Sequence, residues 1–170
     1  MGFWGSFVVC RSEAPLDGLS AVIERHDGMQ EHWRRAGGRA GGWQVGQYSG
    51  PDLADDASAL VAELAGETGA PALTGFVLDS DAVHVEGFSV AGGHWKACLV
   101  REATEAYCED DDEDFDAEFP SAEAAAHTAA AWASEAGRTP DLPGLVEVFA
   151  QEDSDLAEEL LFRLLDELGV

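Results

Sequence analysis

Residues 71–100 read PALTGFVLDSDAVHVEGFSVAGGHWKACLV, three apolar runs parted by Asp79-Ser80-Asp81 and by Ala91-Gly92-Gly93. β-Branched and aromatic side chains recur through the stretch at Val77, Val83, Val85, Phe88, Val90, Trp95 and Val100, the residue types that suit a pleated, half-buried surface. The breaks are too short for anything except hairpins. The stretch is therefore a β-meander, and helices before and after it have a sheet to cover.

Toward the amino terminus, residues 43–49 (WQVGQYS) and 3–11 (FWGSFVVCR) supply two more strands. Between them, Ser12 and Pro15 open a helix whose stripe is Leu16, Leu19, Val22 and Ile23, ending by Gly28. Residues 29–36 (MQEHWRRA) read as a short second helical piece with Met29 and Trp33 on one side. The glycines of GGRAGG form a flexible loop and no phosphate cradle, because a strand follows them instead of a helix N-terminus. Pro51 opens a helix through Gly66 with Asp52, Asp55 and Asp56 in its first turns and Leu53, Ala57, Leu60, Val61 and Leu64 inward.

Beyond Val100 the character changes. Residues 102–118 (EATEAYCEDDDEDFDAE) hold ten acids and no base, and self-repulsion within Glu109–Asp114 predicts an exposed or partly disordered segment. Phe115 and Phe119, four apart, are expected to pin the end of that segment to the core. Ser121 then caps an alanine-rich helix to Ala136, anchored by Trp132 and stopped by Gly137. A short helix spans 143–150, and the last runs 155–168 on a leucine stripe, with Asp155 and Glu158 resembling a capping box. Residues 1–170 thus read as one α+β domain: a mostly antiparallel sheet of about five strands covered by helices, with a helical C-terminal third.

A chain of 170 residues buries roughly 70% of its unfolded surface and needs no disulfide or metal to hold a core. The 46% hydrophobic content excludes general disorder, and no apolar run is long enough to span a bilayer. The start MGFWGSFVVC lacks a basic n-region and a cleavage site, so a cytoplasmic location is expected. Cys10, Cys98 and Cys108 form no CxxC or Cys/His cluster and read as reduced thiols. The net charge of −25 lies wholly in residues 51–170, since residues 1–50 hold five basic and five acidic side chains. Such a charge repels nucleic acid and anionic lipid and attracts basic proteins, although an acid-rich, lysine-poor composition is also the habit of some whole proteomes.

Motifs with chemistry are few. Met-Gly-Phe-Trp-Gly-Ser matches a myristoylation pattern, but the bulky Phe3 and Trp4 continue into a strand and read as buried structure. Residues 112–123 (DEDFDAEFPSAE) resemble a calcium loop, with candidate ligands Asp112, Asp114, Asp116, Glu118 and Glu123. Ala117 stands where such loops need glycine, and Pro120 is an unusual ninth residue. No HExxH, HxH or G-x-S-x-G is present, so no catalytic residue is assigned. His84, His94 and Trp95 are candidates for a ligand pocket against the meander. Three functions follow: an acidic interaction protein (immunity-type or regulatory) presenting Glu109, Asp110, Asp111, Asp112, Glu113 and Asp114 to a basic partner; a calcium binder; or a small-ligand domain or enzyme.

The opening MGxWG, the Gly42–Val45 run GlyTrp-Gln-Val, ETGAPAL and the Phe-Val-Leu-Asp-Ser-Asp turn together resemble a group of uncharacterised small acidic proteins of actinobacteria. The resemblance spans roughly the first 140 residues. It implies a bacterial cytoplasmic setting and brings no activity or site residues with it.

Overall fold

The computed structural model describes residues 2–25, 33–49, 53–108 and 114–170, with the backbone alone at 33–36. Six strands form one sheet: β1 (Gly5–Arg11), β2 (Trp33–Gly38), β3 (Trp43–Ser49), β4 (Ala72–Leu78), β5 (Ala82–Ser89) and β6 (Gly93–Leu99). Their order is β2-β3-β1-β4-β5-β6, and every neighbouring pair is antiparallel. The helices are α1 (Ser20–Ile23), α2 (Ala57–Thr68), α3 (Arg101–Cys108), α4 (Phe115–Glu118), α5 (Ala122–Glu135), α6 (Leu142–Phe149) and α7 (Ala157–Leu168). The fold is α+β, and the expected meander is its β4-β5-β6 half.

Two-sided burial organises the sheet. All seven residues of β4 are buried, so both faces need a cover. Phe7, Val9, Val45, Leu73, Val77, Val85 and Trp95 meet the apolar sides of α5, α6 and α7. Val8, Cys10 and Tyr48 on the opposite face meet Leu16, Val22, Leu60, Val61 and Leu64, contributed by the α1 region and α2. Burying each such side chain contributes about 1.5–3 kcal/mol, so these layers hold the domain.

Close approach explains two glycines. A Cβ at Gly87 would lie 2.2 Å from Trp95 Nε1, and one at Gly75 would lie 2.7 Å from a methyl of Leu161. The bare backbone lets the indole and α7 settle on the sheet. Trp132 of α5 reaches the same region. Its N–H donates to the carbonyls of Ala72 and Phe88, 3.1 Å each, residues that face each other across β4 and β5. Its ring lies 5.6 Å from Trp43 and 6.4 Å from Trp95.

Several expectations are corrected. Residues 33–38 form an edge strand, not the end of a helical piece: pairing with β3 overrides a weak local pattern, and 29–32 lie outside the described residues. Helix α2 starts at Ala57 and runs past Gly66 to Thr68, because Asp56 is drawn to Arg25 (2.5 Å) and Gly69 supplies the left-handed stop (φ 70°); Asp52 lies outside the described residues. Ile23, expected on the inward stripe, is 52% exposed, and Val90, expected within a strand, lies just past the end of β5 and is 78% exposed. Trp4 is exposed as well, against Tyr107. No side chain caps α7: its N-cap is Leu156, and Ala157 N–H donates to the carbonyl of Ser80 (2.7 Å) in the β4–β5 turn. That tertiary bond replaces the expected Asp155–Glu158 box and frees Glu158 to turn inward.

The Trp132 anchor makes a prediction. Trp132→Ala should lose about 3–5 kcal/mol in urea unfolding, and Trp132→Phe, which keeps a ring but leaves two carbonyls without their donor, should fall between it and the wild type. Equal stability of Trp132→Phe and wild type would mean the indole N–H carries no weight.

Candidate functional site

The acidic region begins at a strained joint. β6 ends at Leu99, and Val100 takes φ 58°, a region a β-branched residue enters only under constraint. Thr104 supplies it: its amide donates to the Val100 carbonyl (3.0 Å), and its hydroxyl lies 3.1 Å from that oxygen and 3.3 Å from the Leu99 carbonyl. The chain thus turns straight from strand into α3, a helix at the start of the segment that sequence predicts to be exposed or partly disordered. Buried Thr104 faces inward, and Glu102, Glu105, Ala106 and Tyr107 face solvent.

Two cations fasten the far end of the acidic run. Arg101 donates to the carbonyls of Phe119 (3.1 Å) and Pro120 (3.0 Å), pairs with Asp116, and lies 4.8 Å over the Phe115 ring. Lys96 pairs with Glu118 (3.1 Å) and with Glu86 across the strands (3.8 Å). Phe119 is buried and Phe115 half-buried, their rings 5.0 Å apart. The two rings do hold this end to the domain.

The proposed calcium ligands are engaged separately. Asp114 caps α4 by accepting from Asp116 N–H (3.2 Å), Asp116 turns to Arg101, Glu118 turns to Lys96, and Glu123 sits in the first turn of α5. Asp112 lies outside the described residues, as do Glu109, Asp110, Asp111 and Glu113. Among the described residues, no group of three or more His, Cys, Asp or Glu side chains is placed to hold a metal ion.

The proposed pocket trio is not brought together. Trp95 is buried on the face under α5–α7, whereas His84 and His94 lie on the other. Adjacent residues of a strand point oppositely, so His94 and Trp95 have no shared cavity. His94 is exposed on the Phe88 ring (4.7 Å). His84 is partly buried beside Phe119 (5.0 Å), and its Nε2 has no hydrogen-bond partner. Burial holds its pKa below the usual imidazole value, against the opposing pull of Glu118 and with a smaller push from Lys96. Burial likewise pushes the Cys10 thiol up to about 12 and the Cys98 thiol up to about 11, far from the range of a nucleophile.

What the fold does assemble is a groove of about 290 Å³ beside α3. Its floor is Cys98, Pro120, Ala122, Ala125 and Phe149, and its rim carries Glu102, Glu105 and Glu152. All three carboxylates are exposed, and none is in an ion pair with a described residue. Arg101, the cation in the lining, is directed to the carbonyls and Asp116 described above. Glu102 and Glu105 belong to the acidic run that the sequence marks, although not to its named interaction residues. Glu152 arrives from the α6–α7 connection, with no local signal.

Comparison with models of protein families, with curated proteins and with solved structures returns no match. Among the described residues no helix is long and apolar enough to cross a membrane.

The pH dependence of His84 can be worked out. Its folded pKa is lowered, so the unfolded chain takes the proton first as pH falls. Its stabilising contribution is complete above about pH 6.5 and is lost as pH drops through that value toward the folded pKa. Melting temperatures of wild type and His84→Phe, followed from about pH 7.5 to about pH 5, should therefore shift in favour of the variant at the acid end. A constant difference would contradict the assignment.

Proposed function

We propose that this chain is a non-enzymatic interaction protein, immunity-type or regulatory, whose acidic α3 face and adjoining groove receive a basic protein. The observation that carries this reading is the groove itself: three exposed carboxylates without a cation partner among the described residues, above an apolar floor. A lysine or arginine side chain suits that arrangement, its methylene stem on the floor and its charge at the rim. The exposed Trp4–Tyr107 pair, 5.8 Å between rings, adds aromatic faces that attract cations, with Asp81 3.0 Å from the Tyr107 hydroxyl. The net charge of −25 steers a basic partner toward the protein and disfavours nucleic acid and anionic lipid. A bacterial cytoplasmic setting belongs to the same proposal, in keeping with three free thiols, of which Cys10 and Cys98 are buried on separate strands.

The test is affinity capture from a bacterial lysate with wild type and two triple variants. One neutralises the rim (Glu102→Gln, Glu105→Gln, Glu152→Gln), and the other removes equal charge far from it (Glu13→Gln, Asp17→Asn, Glu24→Gln). A partner should be retained at about 0.1 M salt and released near 1 M, where the Debye length falls from about 10 to about 3 Å. It should be lost with the rim variant and kept with the distal one. Equal loss with both variants would reduce the effect to net charge and defeat the reading.

A further inference from the structure

A second cavity, of about 420 Å³, opens at the opposite edge of the sheet, between β2–β3–β1 and α7. We infer that it is a binding site for a small organic cation: an amine whose nitrogen meets Glu158 and whose flat apolar body lies among Phe3, Phe7 and Phe162. The inference goes beyond the proposed function and uses none of the residues of the α3 groove.

Three observations carry it. The volume is that of a small-molecule site, and the space is left open by design of the sequence. β2 contributes Gly37 and Gly38 to the lining, and a Cβ on either would meet nothing within 4 Å. The body of the site is aromatic, with Phe3 and Phe7 5.6 Å apart and Phe7 and Phe162 5.2 Å apart at tilted and edge-to-face angles. Such rings accept a flat apolar group and attract a cation through their faces.

The polar end is specific. Glu158 accepts from the Ser80 hydroxyl (3.1 Å) through Oε1, while Oε2 is buried with no hydrogen-bond partner. The Glu158 carboxylate belongs to the cavity lining and has no ion-pair partner among the described residues, so a cationic nitrogen in the cavity is what complements it. Its position is fixed. Phe3 N–H donates to the Ser80 hydroxyl (2.8 Å), and Ser80 N–H donates to the Phe3 carbonyl (3.1 Å). Arg39, also in the lining, pairs with Asp166 and donates through Nε to the Val170 carbonyl (2.8 Å), so it leaves Glu158 as the unsatisfied charge. The carboxylate selects against anions and in favour of a protonated amine.

Calorimetry with 2-phenylethylamine and tryptamine as probes, and with 2-phenylethanol and 3-phenylpropionate as uncharged and anionic counterparts, tests the inference on the full chain. The amines should bind at least about tenfold more tightly than the alcohol, and the acid should not bind. Glu158→Gln, which retains an acceptor for Ser80, should abolish the preference for amine over alcohol. Gly37→Trp, which fills the cavity without touching Glu158, should abolish binding of amine and alcohol alike; melting curves report whether each variant is folded. Equal affinity for amine and alcohol, amine binding unchanged in either folded variant, or no saturable heat with the amines up to millimolar concentration would overturn it.

Discussion

A strand buried on both faces leaves the chain little choice. With β4 wholly inside and β1 and β5 largely so, apolar surface must be supplied above and below the sheet, and it comes from different parts of the sequence. The α1 region and α2 cover one face and α5–α7 the other. Magnitudes favour this over the ion pairs as the source of stability. Exposed pairs such as Arg163–Glu147 or Arg101–Asp116 contribute at most about 1 kcal/mol each, less than one buried leucine. The cations instead fix where things lie: Arg25 binds the start of α2 to α1, and Arg101 and Lys96 bind the acidic run to the sheet.

The same constraint sends the charge outward. Thirty-four acids cannot enter two apolar layers, and most of the described ones line outer helix faces and connections. Where two such surfaces meet across an apolar seam, as at α3 and the α6–α7 connection, carboxylates gather around a groove. The strained backbone at Val100 directs α3 there. At the other strained turn, positive φ at Asp79 and Ser80 brings together the amino-terminal residues, the meander and the start of α7, which is how a glutamate of the first turn of α7 comes to face a cavity.

Much of the architecture was legible because its signals are local. Apolar runs rich in β-branched and aromatic residues, with short Asp/Ser and Gly breaks, marked the meander, the leucine stripe marked α7, and Ser121 caps α5 through the Ala124 amide (3.3 Å). Edge strand β2 was not legible, since its identity comes from pairing with β3 and not from its own WRRAGG. Helix α3 was not read because its two acids, Glu102 and Glu105, were grouped with the acidic run after it, whereas Thr104 ties its first turn to the end of β6. The pleat already separates His94 from Trp95, so grouping them overlooked a rule readable in the sequence. The groove and the cavity were out of reach, because Glu152 comes to line one groove with Glu105, and Phe162 meets Phe7, only through the packing of distant segments.

The central claim is that negative charge acts at one built surface and not merely as a diffuse coat. A titration of the isotopically labelled protein with a short lysine-rich peptide, followed by amide chemical shifts, tests it directly. The account predicts saturable shifts concentrated on α3 and on Gln151 and Glu152, with the outer faces of α2 and α5 little changed. Shifts spread over every acidic helix in proportion to its local charge would contradict it.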